Sequence, residues 1–104
     1  MVTNISPLDA LAEPNRRRLL EHLRQQPRSV SELVSLGSIS QPAVSQLLKV
    51  LREARLVRVD RRAQKRIYSI DPAGLAELRA YIDSFWDGVL SAFTQAAEEE
   101  ESSK

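Results

Sequence analysis

Val44, Leu47, Leu48 and Leu51 recur at three- and four-residue spacing in a stretch that is otherwise polar. That spacing puts them on one face of a helix. Ser40 precedes them as a good N-cap, whose hydroxyl can accept a first-turn N–H. Pro42 falls in the first turn, where its missing N–H has no helical partner to lose. The pattern predicts a helix over residues 40–54. Its opposite face carries Pro42, Gln46, Lys49 and Glu53, with Ser45 at the edge.

The flanking pattern gives this helix its context. Ser6-Pro7 opens a short helix, with Leu8 and Leu11 expected to face inward, and Pro14 starts a second over residues 14–25, striped by Leu19, Leu20 and Leu23. Arg16, Arg17 and Arg18 stand at its start, where the macrodipole disfavours cations. They are expected to be structural, pairing with Asp9 or Glu13, or else to lie near phosphate. Arg28-Ser29-Val30 reads as extended and able to pair with a later hairpin. Ser29 and Glu32 have capping-box spacing, although Ser31 could cap instead. A helix over residues 31–36 should bury Leu33 and Leu36, and Gly37 should supply positive φ at its end. Ile39 should plug the angle before Ser40. Two helices joined by so short a turn make a helix-turn-helix, whose second helix reads DNA.

Leu56–Asp60 and Lys65–Ile70 alternate and contain β-branched residues, which predicts two strands. Arg61-Arg62-Ala63-Gln64 between them lacks Gly and Asn, so a longer, mobile tip is expected instead of a tight primed turn. A hairpin after a helix-turn-helix is a wing. Asp71-Pro72 then caps a long helix. Leu75, Leu78, Ile82, Phe85, Trp86, Val89, Leu90 and Phe93 stripe it over five turns, more than one small domain can cover. A second copy meeting this stripe would give the two-fold that half-sites ~34–36 Å apart require. Packing wholly within the chain is the competing reading.

Charge sharpens this picture. Net charge is only +1, but residues 49–66 hold eight basic side chains against two acidic ones, and residues 67–104 hold two against eight. A polyanion is drawn to the middle of the chain and repelled by its end. Decoration of a solvated helix end is the bland alternative for the basic run. Cysteine is absent, which excludes disulfides and thiolate metal sites. His22 is the only histidine, so acid–base chemistry has little to draw on and an enzyme is not expected. No apolar run approaches the ~20 residues of a membrane span. The N-terminus lacks the pattern of a secretion signal, so a cytoplasmic location is expected. Glu98–Lys104 should form an acidic disordered tail behind a single domain over residues 1–97.

Ala10–Arg16, Ser29–Leu33, Ser40–Gln46 with Leu48–Ala54, and Arg66–Ile70 together resemble the ArsR/SmtB family of bacterial transcriptional repressors. The likeness covers about residues 8–93. It implies a fold that is mainly α with a small antiparallel β-hairpin, a winged helix-turn-helix dimerising through its first and last helices. It also implies operator binding and release by an inducer, a small molecule or a protein that the sequence leaves unidentified. The residues expected at double-stranded DNA are Ser40, Gln41, Pro42, Ser45, Gln46 and Lys49 on the helix, with Arg61, Arg62, Lys65 and Arg66 on the wing. Those expected at the homodimer interface are Leu8, Leu11, Leu78, Ile82, Phe85, Trp86, Val89, Leu90 and Phe93. Leu47, Arg55 and Gln64 depart from the usual His, Gly and wing Gly. Metal-sensing members use Cys pairs, or His with carboxylates on the last helix. Here Glu32–Leu36 offers no thiolate, and Asp83 and Asp87 stand without His. Phe85-Trp86-Asp87 resembles a Cys-free branch, so neither a metal nor a cofactor is expected. A winged-helix interaction module that never touches DNA is the alternative function.

Overall fold

The computed structural model describes residues 5–102. Its elements are α1 (Pro7–Ala10), α2 (Pro14–Gln25), β1 (Arg28–Ser29), α3 (Val30–Ser35), α4 (Gln41–Glu53), β2 (Val57–Arg62), β3 (Lys65–Ile70) and α5 (Pro72–Ser102). Residues 1–4, assigned above to the domain, and residues 103–104, assigned to the tail, lie outside the described residues. The chain is mainly helical with a small antiparallel sheet, as its pattern predicts. The sheet has three strands, in the order β1-β3-β2. Arg28 pairs with Tyr68 and Ser29 with Ile67, so the extended stretch before α3 does join the hairpin.

The core forms where α2, α3 and α4 meet the sheet. Leu19, Leu23, Leu33, Val44, Leu48, Leu51, Leu56, Val57 and Tyr68 are buried there, and Ile39 packs against them. Two leucines depart from expectation. Leu8 is 49 % exposed and Leu36 is 44 % exposed. Helix α1 is a single turn that turns Pro7 and Ala10 inward, which points Leu8 away. Leu36 is the C-cap of α3 and lies past its buried face. Two of the three arginines opening α2 are structural, but through carbonyls. Arg16 Nε donates to Ala10 O at 2.6 Å, and Arg17 Nη1 donates to Leu11 O at 2.8 Å. Both reach back to the carbonyl-rich end of α1, which favours cations.

Helix α4 ends in a Schellman arrangement. Leu56 N–H donates to Leu51 O at 2.9 Å, and Arg55 N–H donates to Arg52 O at 3.0 Å. Arg55 takes the left-handed position, φ 61°, that glycine usually holds. Its guanidinium pairs with Glu77 on α5, an interaction glycine could not offer. The start of α5 docks on the same corner. Asp71 Oδ1 accepts from Ala73 N–H at 2.9 Å, and Gly74 N–H donates to Arg55 O at 2.8 Å. A Cβ on Gly74 would stand 2.3 Å from Arg55 O. Backbone on both sides must then separate. Gly74→Ala should therefore cost about 1–3 kcal/mol, typical of overpacking, read as a lower urea midpoint.

The acidic end also differs from expectation. Helix α5 continues through Glu98–Glu101 to Ser102, where an irregular tail was expected. Ala96, Ala97 and the glutamates are strong helix formers, and they extend a helix already nucleated against α1. From Tyr81 onward every described α5 position is exposed, including Phe85, Trp86 and Phe93.

Candidate nucleic-acid interface

Helix α4 is held from below and left open above. Ser40 Oγ accepts from Ala43 N–H at 3.4 Å, and Val44, Leu48 and Leu51 turn into the core. Leu47 is half-buried and packs on that core, so it does not stand on the open face. Ser40, Gln41, Pro42, Ser45, Gln46 and Lys49 are all exposed. The turn before α4 forms without positive φ at Gly37, contrary to expectation. Leu36 closes α3 in ordinary right-handed conformation, its N–H donating to Glu32 O at 3.2 Å. A Cβ at Gly37 would meet nothing within 4 Å, so the turn does not depend on glycine.

The capping box that starts α3 is complete. Ser29 Oγ accepts from Glu32 N–H at 3.3 Å, and Glu32 Oε1 accepts from Ser29 N–H at 3.2 Å. Those bonds from the Ser29 backbone and hydroxyl, with Arg28 and Lys65 nearby, hold the Glu32 carboxyl below its usual 4.5. A depressed carboxylate contributes stability above its unfolded value, and that contribution disappears as pH falls through the folded value. The melting-temperature gap between the wild type and Glu32→Ala should thus be full at neutral pH and narrow below pH 4.5. A gap independent of pH would mean that the charge contributes nothing.

The wing is tighter than its sequence suggests. Arg62 pairs directly with Lys65, leaving Ala63 and Gln64 as a two-residue turn. Ala63 has φ 56°, and Gln64 is not in the left-handed region. Positive φ at the first central position alone matches a type II′ turn, where glycine is usual. Alanine is small enough to occupy it at a modest cost. Arg61 stands opposite Arg66 across the strands, and Arg62 opposite Lys65, all four exposed. Like charges directly opposite destabilise a hairpin. This tip holds four cations at the wing's end without a cross-strand acid between them.

Between α4 and the wing lies a cleft of about 510 Å³, lined by Gln41, Ser45, Lys49, Arg52 and Arg66, with Val30 and Tyr68. The fold thus brings Gln41, Ser45, Lys49 and Arg66 to one place. Gln46 and Pro42 stand on the outer edge of α4, and Arg61, Arg62 and Lys65 occupy the hairpin tip. Arg52 was missed from sequence because it was counted among the basic run without a face. Its spacing from Ser45 (seven residues, two turns) already placed it on the same side. Tyr68 was missed because strand alternation reads it only as core.

Comparison with known proteins supplies the context. Residues 13–59 match the pattern described as "Bacterial regulatory protein, arsR family". The chain is 47 % identical over 92 residues to the HTH-type transcriptional regulator Rv2034 of Mycobacterium tuberculosis, covering 88 % of this chain and 85 % of that one. It is similar in structure to a possible transcriptional regulator for arsenical resistance, with TM-score 0.72, 40 % identity, and 85 % and 96 % of the two chains covered. It is also similar to the transcriptional repressor BigR of Xylella fastidiosa, with TM-score 0.63, 32 % identity, and 79 % and 81 % covered.

Proposed function

This chain belongs to the ArsR/SmtB family of bacterial transcriptional regulators, and we propose that it is a homodimeric repressor that reads an operator with α4 in the major groove. The members it resembles are regulators, not enzymes. One observation carries the reading: the exposed polar face of α4 stands beside a hairpin tip whose like charges oppose one another. Such a tip weakens the hairpin unless a polyanion neutralises it. Gln41, Ser45 and Gln46 can donate to and accept from base edges. Arg61, Arg62, Lys65 and Arg66 serve phosphates or the minor groove. The two α4 helices of a dimer joined through α1 and α5 would meet successive half-sites. The domain we assign to this role is residues 1–97, from which α5 runs on to Ser102.

Metal sensing does not fit these residues. On α5, Asp83 lies 3.6 Å from Arg79 in an ion pair, and no His or Cys accompanies it. Among the described residues no group of three His, Cys, Asp or Glu is placed to hold a metal. Borderline metals need imidazole or thiolate. No helix among the described residues is long and apolar enough to cross a membrane. From the family we infer a cytoplasmic repressor, released by something other than a metal ion.

The test is anisotropy against duplex from upstream of the chain's own gene and against scrambled duplex, across a salt series. A preference of roughly 10³ or more with a steep salt slope is the expected result. Gln46→Ala should then reduce discrimination by about 1–3 kcal/mol while nonspecific binding holds. An equal loss on all sequences would refute base readout by Gln46. No binding to either duplex by a folded dimer would make this a protein-interaction module.

A further inference from the structure

We propose that the cavity between α2 and the turn into α4 binds a small monocarboxylate with an apolar body the size of a single ring, and that this ligand opposes DNA binding. The binding stands on its own, while its effect on DNA rests on the repressor reading above. The cavity has a volume of about 180 Å³. Buried Leu19, Leu33 and Val44 line it, with Ile39 and the exposed Leu36. Asn15, Arg18 and His22 line it too, three and four residues apart along α2 and so on one face. Arg16 and Arg17 spend their guanidiniums on carbonyls, but Arg18 has no acceptor among the described residues. His22 engages only its backbone carbonyl, which accepts from Arg28 Nε at 3.1 Å. Gly37 lies at the cavity as well. Neither its φ nor a close neighbour requires glycine there, so what glycine leaves is room.

Charge and size set the class of ligand. An arginine with no acid beside it attracts an anion, and its planar fork matches the two oxygens of a carboxylate. No Asp or Glu lines the cavity to compete. One guanidinium balances one negative charge, so a phosphate dianion against these leucines would keep a charge unpaired. His22 and Asn15 can donate to the carboxylate's remaining lone pairs. A cavity of ~150 Å³ lined by Leu, Ile and Phe holds a benzene. The space here therefore suits one ring, whose apolar body lies on the leucines and whose carboxylate meets Arg18.

The cavity is built from two parts of the reading head. Helix α2 supplies Asn15, Arg18 and His22, and the turn supplies Gly37, Ser38 and Ile39, directly before the Ser40 cap of α4. A ring seated between them sets the distance of Ile39 from α2. Gln41 and Ser45 follow, because α4 continues from that turn. The ligand favours one spacing of turn and α2 and the operator another, so each weakens the other's binding by the same factor.

Benzoate is the probe, titrated into the isotope-labelled full chain without DNA and followed by amide NMR. With roughly nine non-hydrogen atoms it should bind with a Kd on the order of 1 mM, shifting the signals of Gly37, Ser38 and Ile39. Arg18→Gln should weaken it by roughly tenfold or more, while neutral benzamide should bind wild type and variant alike. Gly37→Leu, which takes up the room, should also lose benzoate. Both variants should fold, because Arg18 is exposed without a partner and a Cβ at Gly37 meets nothing. With benzoate at roughly five times its Kd, the operator Kd should rise by up to about sixfold over chloride at equal ionic strength. Absence of binding, or shifts clustered elsewhere and indifferent to Arg18→Gln, overturns the site. Binding as described with an unchanged operator Kd overturns the coupling. Weaker duplex binding by Arg18→Gln without benzoate would assign Arg18 to the phosphate backbone and overturn its role here. A chain that binds benzoate at the cavity but no duplex supports the site and overturns the repressor reading.

Discussion

Replacing Lys49, Arg52 and Arg66 together with alanine should lower affinity for any duplex by roughly 10²-fold at physiological salt and reduce the salt slope by about 3. The three line one cleft between α4 and the wing, so one backbone segment lies within reach of all of them. Each phosphate neutralised releases counterion and contributes ~0.9 to the slope. The loss should be nearly equal on operator and scrambled DNA, because phosphates carry no sequence. Stability separates this role from a structural one. Arg66 already faces Arg61 across the hairpin, and Lys49 and Arg52 stand near it without an acid lining the cleft. Removing three such cations relieves repulsion, so the melting temperature should hold or rise. A collapsed melting temperature with an unchanged slope would show that the cluster serves the fold instead.

The same residues show how far sequence reasoning reached. The bounds of α4 were legible because Ser40, Pro42 and the apolar period all mark one helix, and local cap chemistry agreed with burial. Helix α3 was read one residue late, because Ser29 and Ser31 both offered a cap and only Ser29 completes the box with Glu32. The wing turn was misjudged for a different reason. Composition argues against a two-residue turn, but cross-strand register from Val57 to Arg62 fixes the loop length, and Ala63 accepts positive φ. Arg55 at the end of α4 repeats the lesson, since the Glu77 ion pair and buried Leu56 hold a left-handed residue in place without glycine. Arg16 and Arg17 were correctly read as structural, yet their acceptors are the carbonyls closing α1, which no side-chain pattern announces. Arg52 and Tyr68 joined the cleft only when the sheet was placed beside α4, a long-range arrangement that neither helical nor strand period encodes.

Trp86→Ala should raise the dimer dissociation constant at least 30-fold, with little effect on the fold of one chain. Trp86 is 60 % exposed within the chain and lies outside the core cluster, so its removal leaves no cavity there. An indole buries 150–250 Å² when fully covered. At ~25 cal/mol per Å², covering the part left open is worth about 2 kcal/mol or more per copy. In the proposed homodimer the substitution acts twice, and a tryptophan covered at an interface is often a hot spot. Sedimentation at low micromolar concentration should show monomer, while far-UV circular dichroism stays helical. Operator binding should weaken more than nonspecific binding, because only a dimer holds two α4 helices one helical turn of DNA apart. A sedimentation profile identical to wild type would count against α5 as the interface. A dimer that persists yet loses the operator would instead place Trp86 in setting the spacing of the two reading heads, because spacing can fail while association survives.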